Sequence, residues 1–192
     1  MSIRIAEESS DALPGYAAIP IAFKVESRFR VDTIAQGLGG LRLVEERVPA
    51  PYIKDYDQDP GEGPLNWAKR WDISSWGFLS AFEGAQRVGA AALVWRTPGI
   101  HMLEERDDLA VLWDIRVAAG YRHHGIGSKV FARAVDWARQ RHCRVLKAET
   151  QNINVPACRF YASQGCVLRG IHVGVYPAYP EEVQLLWYRD LK

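Results

Sequence analysis

Residues 120–127 read Gly-Tyr-Arg-His-His-Gly-Ile-Gly. Gly125 and Gly127 stand one residue apart, behind the basic run Arg122, His123 and His124, and a helical pattern begins at once. A helix N-terminus presents unpaired N–H groups and a partial positive charge. Glycines there let a ligand approach the bare backbone. Together these features make an anion site, most naturally one for a pyrophosphate. Two known phosphate motifs do not fit. For a P-loop, Gly120 and Gly125 have the right spacing, but Ile126 stands where the lysine should be. For a dinucleotide fingerprint, Gly125 and Gly127 fit, but Val130 stands at the third glycine. The bland alternative is a tight strand-to-helix turn with no ligand, and spacing alone leaves it open.

Such a turn needs a strand to feed it and a helix to leave it. Residues 109–118, "LAVLWDIRVA", are rich in β-branched and apolar types and read as the strand. In "GIGSKVFARAVDWARQRHC" (125–143), Ile126, Val130, Ala134, Trp137 and Ala138 recur at helical spacing. "RVLKAET" (144–150) is a further strand, and "NVPACRFYASQG" (154–165) a short helix ending at Gly165. "CVLRGIHVGVYP" (166–177) and "VQLLWYRDL" (183–191) read as closing strands. Upstream, "WGFLSAFEG" (76–84) and "RVGAAALVWR" (87–96) are two strands about a turn at "EGAQ". Residues 21–31 and 41–48 are strand candidates, and 65–73 a helical turn. Between them "PAPYIKDYDQDPGEGP" (49–64) reads as loop, and residues 1–20, broken by Pro14, Gly15 and Pro20, as a loose N-terminal arm. This order predicts a mixed sheet covered by helices. The crossover from 109–118 to 144–150 is expected to be a parallel, right-handed unit.

The chain has 192 residues, 48% hydrophobic and 24% charged, which predicts one globular domain with a sizeable core. A net charge of +1 argues against nucleic acid or an anionic membrane as partner. Cys143, Cys158 and Cys166 are an odd set with no C-x-x-C, against a disulfide framework or structural zinc. The first twenty residues do not read as a signal peptide. No stretch approaches the roughly 18 apolar residues of a membrane span. Cytoplasm is the expected compartment.

"RHHGIG" resembles the [RQ]-x-x-G-x-[GA] motif of the GNAT (Gcn5-related N-acetyltransferase) superfamily. "NVPACRFYASQGC" (154–166) resembles that family's second motif, with Cys166 where Phe is usual. "ETQNINVPACRFY" (149–161) and "VYPAYPEEVQLLWYRDL" (175–191) are similar to the streptothricin acetyltransferases within it. The resemblance covers roughly residues 76–190 and implies a single α/β domain of GNAT fold. Its sheet would be mostly antiparallel with a central parallel pair, flanked by helices. It implies acetyl transfer from acetyl-CoA to a primary amine, with no metal. The turn's backbone around Arg122, His123, His124, Gly125, Ile126, Gly127 and Ser128 would wrap the CoA pyrophosphate. The strand at Ile115, Arg116 and Val117 would pair with the pantetheine arm, with the N–H near Val117 as oxyanion donor. Asn154 would bond the pantetheine. Tyr161 would protonate the leaving thiolate, a phenol having a pKa of about 10 against about 8.5 for a thiol.

The attacking amine must lose a proton, so a base is needed at neutral pH. The candidates are Asp114 and Glu149. Asp114 is preferred as base and Glu149 as amine binder, and the order can reverse. Structural readings stand beside these. Tyr161 is also a core aromatic, and Asp114 also a partner for Arg116 or Arg144. His123 and His124 read as loop residues that lend only backbone. Cys158 reads as buried packing. The acidic runs 55–63 and 104–108 and Trp67, Trp71 and Trp76 would serve a cationic acceptor, or be solvated loop and core. The leading acceptor is a cationic small molecule of the streptothricin type. Rivals are another amine (polyamine, amino sugar, peptide or protein) and a non-catalytic acyl-CoA-binding module. Pairing of the last strands into a homodimer stays open.

Overall fold

The computed structural model describes residues 2–192. In chain order its strands and helices are β1 (Ile3–Glu8), α1 (Leu13–Ala17), β2 (Phe23–Thr33), β3 (Leu41–Lys54), α2 (Trp67–Arg70), β4 (Gly77–Glu83), β5 (Gln86–Val94), β6 (Leu109–Val117), α3 (Ile126–Gln140), β7 (Val145–Gln151), α4 (Val155–Ser163), β8 (Val167–Val173) and β9 (Val183–Asp190). They divide between two compact units. One holds the residues up to Ile21, Asp55–Ala148 and Tyr188–Lys192, and the other Ala22–Lys54 and Glu149–Trp187. Strands β7 and β9 run through both.

In the first unit the strand order is β1-β4-β5-β6-β7. The pairs from β1 to β6 are antiparallel, and β6–β7 is parallel from Leu109↔Val145 to Leu112↔Ala148. The expected parallel crossover is therefore present, made through α3. That helix buries Ile126, Val130, Phe131, Ala134, Val135, Trp137 and Ala138. Trp137 sits so close to Gly77 that a Cβ there would meet its ring at 2.4 Å, so only glycine lets α3 approach β4 this closely. A second core gathers Tyr16, Trp67, Trp76, Phe78, Leu109 and Val111, with Trp71 and Trp113 packed against it.

Strand β6 carries one irregularity. Leu93 pairs with Leu112 and Ala92 with Asp114, so Trp113 is the extra residue of a β-bulge. The parallel register also ends at Leu112. Trp113 packs its ring on Trp71 and Trp76. Asp114, next in sequence, bonds Tyr16, which itself packs on Trp67. Two consecutive side chains thus meet the same aromatic cluster.

Residues 2–20 are not a loose arm. Ile3–Glu8 form β1, an edge strand on β4, because apolar and charged residues interleave there and satisfy the open edge of β4. Pro14 and Gly15 fall inside α1, where proline is tolerated in a first turn, and Tyr16 is fully buried.

In the second unit β2 and β3 make a separate antiparallel pair, and β8 lies beside β9. The expected loop from residue 49 begins only after Lys54. Pro49 and Pro51 are accommodated because the register breaks there: between Val25↔Tyr52 and Ser27↔Arg47, residues 48–51 bulge opposite Glu26. Asn152 is buried and ties the unit together. Its backbone accepts from Phe29 N–H at 2.9 Å and its Nδ2 donates to Phe29 O at 2.9 Å. Its N–H donates to Val183 O at 2.9 Å and its Oδ1 accepts from Val183 N–H at 2.8 Å.

Candidate active site

The Gly-rich turn follows β6 directly. Gly125 takes φ +76° as the N-cap of α3, and His123 also has positive φ, at 65°. Left-handed residues at a helix start are the backbone conformation from which anion cradles are built. Ile126 is buried against Gly89, so of its groups only the backbone serves the turn. Arg122 donates Nε–H to Val117 O at 3.1 Å, and His124 Nδ1 lies 2.8 Å from Arg122 O, both locking the turn to the strand end. Ser128 lies in the first turn of α3. Ala118 N–H donates to Val88 O at 2.9 Å. Gly89 and Val117 therefore face each other as a pair that exchanges no hydrogen bonds, and the Val117 amide turns away from β5. By the same alternation Ile115 turns outward, while Arg116 turns its backbone to Ala90.

The Arg116 side chain is committed elsewhere. Its guanidinium is 1% exposed. It meets Asp57 Oδ2 at 2.6 Å and Oδ1 at 2.8 Å, Asp114 Oδ2 at 2.8 Å, and Ile19 O at 3.1 Å. Burial alone would lower its pKa, but Asp114 and Asp57 outweigh that and raise it further. Asp114 is the partner expected under the structural reading. Its Oδ1 accepts from Tyr16 OH at 2.7 Å and from Arg116 Nε at 2.9 Å, and its Oδ2 from Arg116 Nε at 3.1 Å and Nη2 at 2.8 Å. A carboxylate offers about four acceptor sites, and here all are engaged. Burial, and then the Asp114 charge, push the Tyr16 phenol well above its ordinary value, so it stays a donor.

Glu149 contrasts with this. It is half-buried in the second unit. Its Oε1 accepts from Tyr176 OH and from Gln151 Nε2, the latter at 3.2 Å, and its Oε2 accepts from Gln184 Nε2 at 2.8 Å. Three donors occupy three of a carboxylate's roughly four acceptor sites, which leaves Oε2 able to accept one more. No cation is among the three.

Asn154 is the N-cap of α4, its Oδ1 accepting from Ala157 N–H at 3.2 Å. Tyr161 lies on α4, buried, with its ring 5.4 Å from Phe160 and stacked 6.5 Å from Trp187. Cys158 is buried beside Thr150. Trp67 and Trp76 are core, and Trp71 is partly buried against them. Of the acidic runs, Asp57 serves Arg116, and Glu104 serves Lys147 at 2.7 Å and Tyr188 at 2.6 Å. Sequence reasoning missed Tyr16, Asp57, Tyr176 and Gln184. Tyr16 comes from α1, Asp57 and Tyr176 from connecting segments and Gln184 from β9, and Tyr176 and Gln184 both lay in the stretch 175–191 that resemblance had marked.

Acetyl-CoA fits the residues present. The left-handed turn offers backbone donors to a pyrophosphate, and the outward Val117 amide offers one to a thioester arm. Among the described residues no cluster of His, Cys, Asp or Glu could hold a metal ion. Strand, bulge, turn and helix start together define an acyl-CoA-dependent transferase. Residues 41–166 match the acetyltransferase (GNAT) family, and the chain belongs to it as an acetyl-CoA-dependent N-acetyltransferase. It is 28% identical over 151 residues to streptothricin acetyltransferase A of Bacillus subtilis (strain 168), covering 75% of this chain and 76% of that one. It is 31% identical over 171 residues to streptothricin acetyltransferase of Escherichia coli, covering 86% and 84%. The crystal structure of nourseothricin acetyltransferase shares the fold, with TM-score 0.77 and 22% identity over 100% of both chains. A Bacillus anthracis str. Ames protein in complex with acetyl coenzyme A matches with TM-score 0.75 and 26% identity over 98% and 99%.

Proposed function

We propose that the chain acetylates a primary amine on a cationic small molecule of the streptothricin type, conferring resistance in the cytoplasm. The carrying observation is Glu149, held by three neutral donors with one acceptor site left on Oε2. A carboxylate set this way suits an ammonium group and then its proton. The similarity to streptothricin acetyltransferases supports the acceptor class. Donor counting supports the reverse of the first assignment: Glu149 receives and deprotonates the amine, and Asp114 holds Arg116. Acetyl-CoA supplies the activated acetyl group. The turn at Arg122–Ser128 binds its pyrophosphate, Ile115 and Val117 take its arm, and the Val117 N–H stabilises the oxyanion. Asn154 orients the arm, and Tyr161 returns a proton to the leaving thiolate.

The test is CoA thiol release with acetyl-CoA and streptothricin, beside polyamines, amino sugars and a peptide amine. Turnover with streptothricin at least a hundredfold above the panel is expected. Equal or faster turnover of another amine overturns the acceptor and leaves the transferase. Glu149→Gln is expected to lower kcat/KM about 10²–10⁴-fold. Wild-type rates in that variant overturn the role of Glu149.

A further inference from the structure

The nine residues between β8 and β9, Gly174–Glu182, carry Tyr176 to Glu149 and are themselves pinned. Glu182 meets Lys54 Nζ at 3.0 Å, with side chains 9% and 10% exposed. Lys54 Nζ also lies 3.3 Å from the Tyr179 ring centroid. Tyr179 N–H donates to Tyr176 O at 2.9 Å, and Glu182 N–H to Tyr179 O at 2.9 Å, so the segment is folded back on itself. Arg28 holds Glu181 at 3.1 Å. A buried ion pair is weak evidence of net stability, because desolvation offsets the attraction. What it does supply is a single place for the segment.

That place matters because of what Tyr176 touches. Its hydroxyl donates to Glu149 Oε1 and accepts from Gln151 Nε2 at 3.0 Å. With Gln184 on Oε2, the carboxylate is gripped on both oxygens and cannot rotate. We infer that Tyr176 is a positioning residue for the transfer reaction: carried on a segment locked by Lys54, it fixes the Glu149 carboxylate toward the acceptor amine. This rests on the reading of Glu149 as the group that receives and deprotonates that amine. The groups around the carboxylate are Tyr176, Gln151 and Gln184. Behind Gln184 stands His172, its Nδ1 2.9 Å from Gln184 Oε1.

The experiment is steady-state kinetics with streptothricin on wild type, Tyr176→Phe, Glu149→Gln and the double variant. Tyr176→Phe is expected to lower kcat for streptothricin tenfold or more, with KM for acetyl-CoA unchanged. The double variant should be no worse than Glu149→Gln, because Tyr176 acts through Glu149. A wild-type kcat in Tyr176→Phe, or losses that add in full, overturns the inference while Glu149→Gln stays inactive. A fully active Glu149→Gln instead overturns the reading beneath it. Should Tyr176→Phe melt below the assay temperature, Lys54→Gln carries the same test, because it releases the segment that holds Tyr176. Its kcat must fall in the wild-type background and fall no further beside Glu149→Gln, and an unchanged kcat overturns the inference too.

Discussion

Two carboxylates in this chain look alike in sequence and differ in company. Asp114 is saturated by a cation and a phenol; Glu149 is held by neutral donors. The difference predicts different failures. Asp114→Asn removes charge from a buried set in which Asp57 still pairs Arg116. It should cost about 1–3 kcal/mol of stability, read as a lowered urea midpoint, while kcat of the folded enzyme stays within about tenfold of wild type. A kcat loss matching that of Glu149→Gln returns the base to Asp114. Cys158 makes a separate prediction. Burial pushes its thiol up to about 11. The folded state disfavours the thiolate, so this contribution to stability is whole below the ordinary thiol pKa. It is lost as pH rises through about 11. Native protein at pH 8 should resist iodoacetamide at Cys158 until urea exposes it. In Cys158→Ala the alkaline fall in urea midpoint should be smaller than in wild type.

At the level of elements, the turn before α3 is the sensitive part. Gly125 has open space where a Cβ would go, so the penalty at φ +76° is backbone strain alone. A left-handed non-glycine residue costs about 1–2 kcal/mol. Gly125→Ala should therefore raise the acetyl-CoA KM about 5- to 30-fold with little change in kcat. An unchanged KM would detach the turn from donor binding. This turn was legible in sequence because its signals are local: a strand pattern, glycines, a helical period. So were α3, α4 and the parallel pair of β6 with β7. β1 was not, since prolines and an acidic run disguised an edge strand that exists only because β4 has an open side. The partners of Asp114 were equally hidden. Asp57 and Tyr16 lie 57 and 98 residues away from it in sequence, and no periodicity reports such a meeting. Asn152 looked like an ordinary polar residue after a strand, yet it holds backbone of both β2 and β9.

For the molecule as a whole, the donor is a stabiliser. Anything that binds only the native state adds stability, about 2.7 kcal/mol at a hundredfold excess over Kd. In a chain of 192 residues that raises the melting temperature by roughly 5–10 °C. Acetyl-CoA should give such a shift by calorimetry, streptothricin alone a smaller one, and Gly125→Ala should reduce the acetyl-CoA shift. No acetyl-CoA shift at saturating concentration would count against a preformed donor turn. A net charge of +1 gives no broad field to draw in a cationic acceptor. Under the function proposed above, its capture falls to local groups, Glu149 among them.

The bulge at Trp113 carries a consequence for how this strand tolerates change. Before it, odd-numbered side chains, Leu109 and Val111, face the aromatic core; after it, even-numbered ones, Asp114 and Arg116, do so. Trp113 is thus a parity switch. Deleting that single residue would close the bulge and turn neither stretch over: Leu112 and Asp114 would become neighbours, in step with Leu93 and Ala92 opposite them. What would go is the indole packed on Trp71 and Trp76. A lineage could drop position 113 and keep both faces of the strand, provided another side chain filled the gap left in the aromatic cluster.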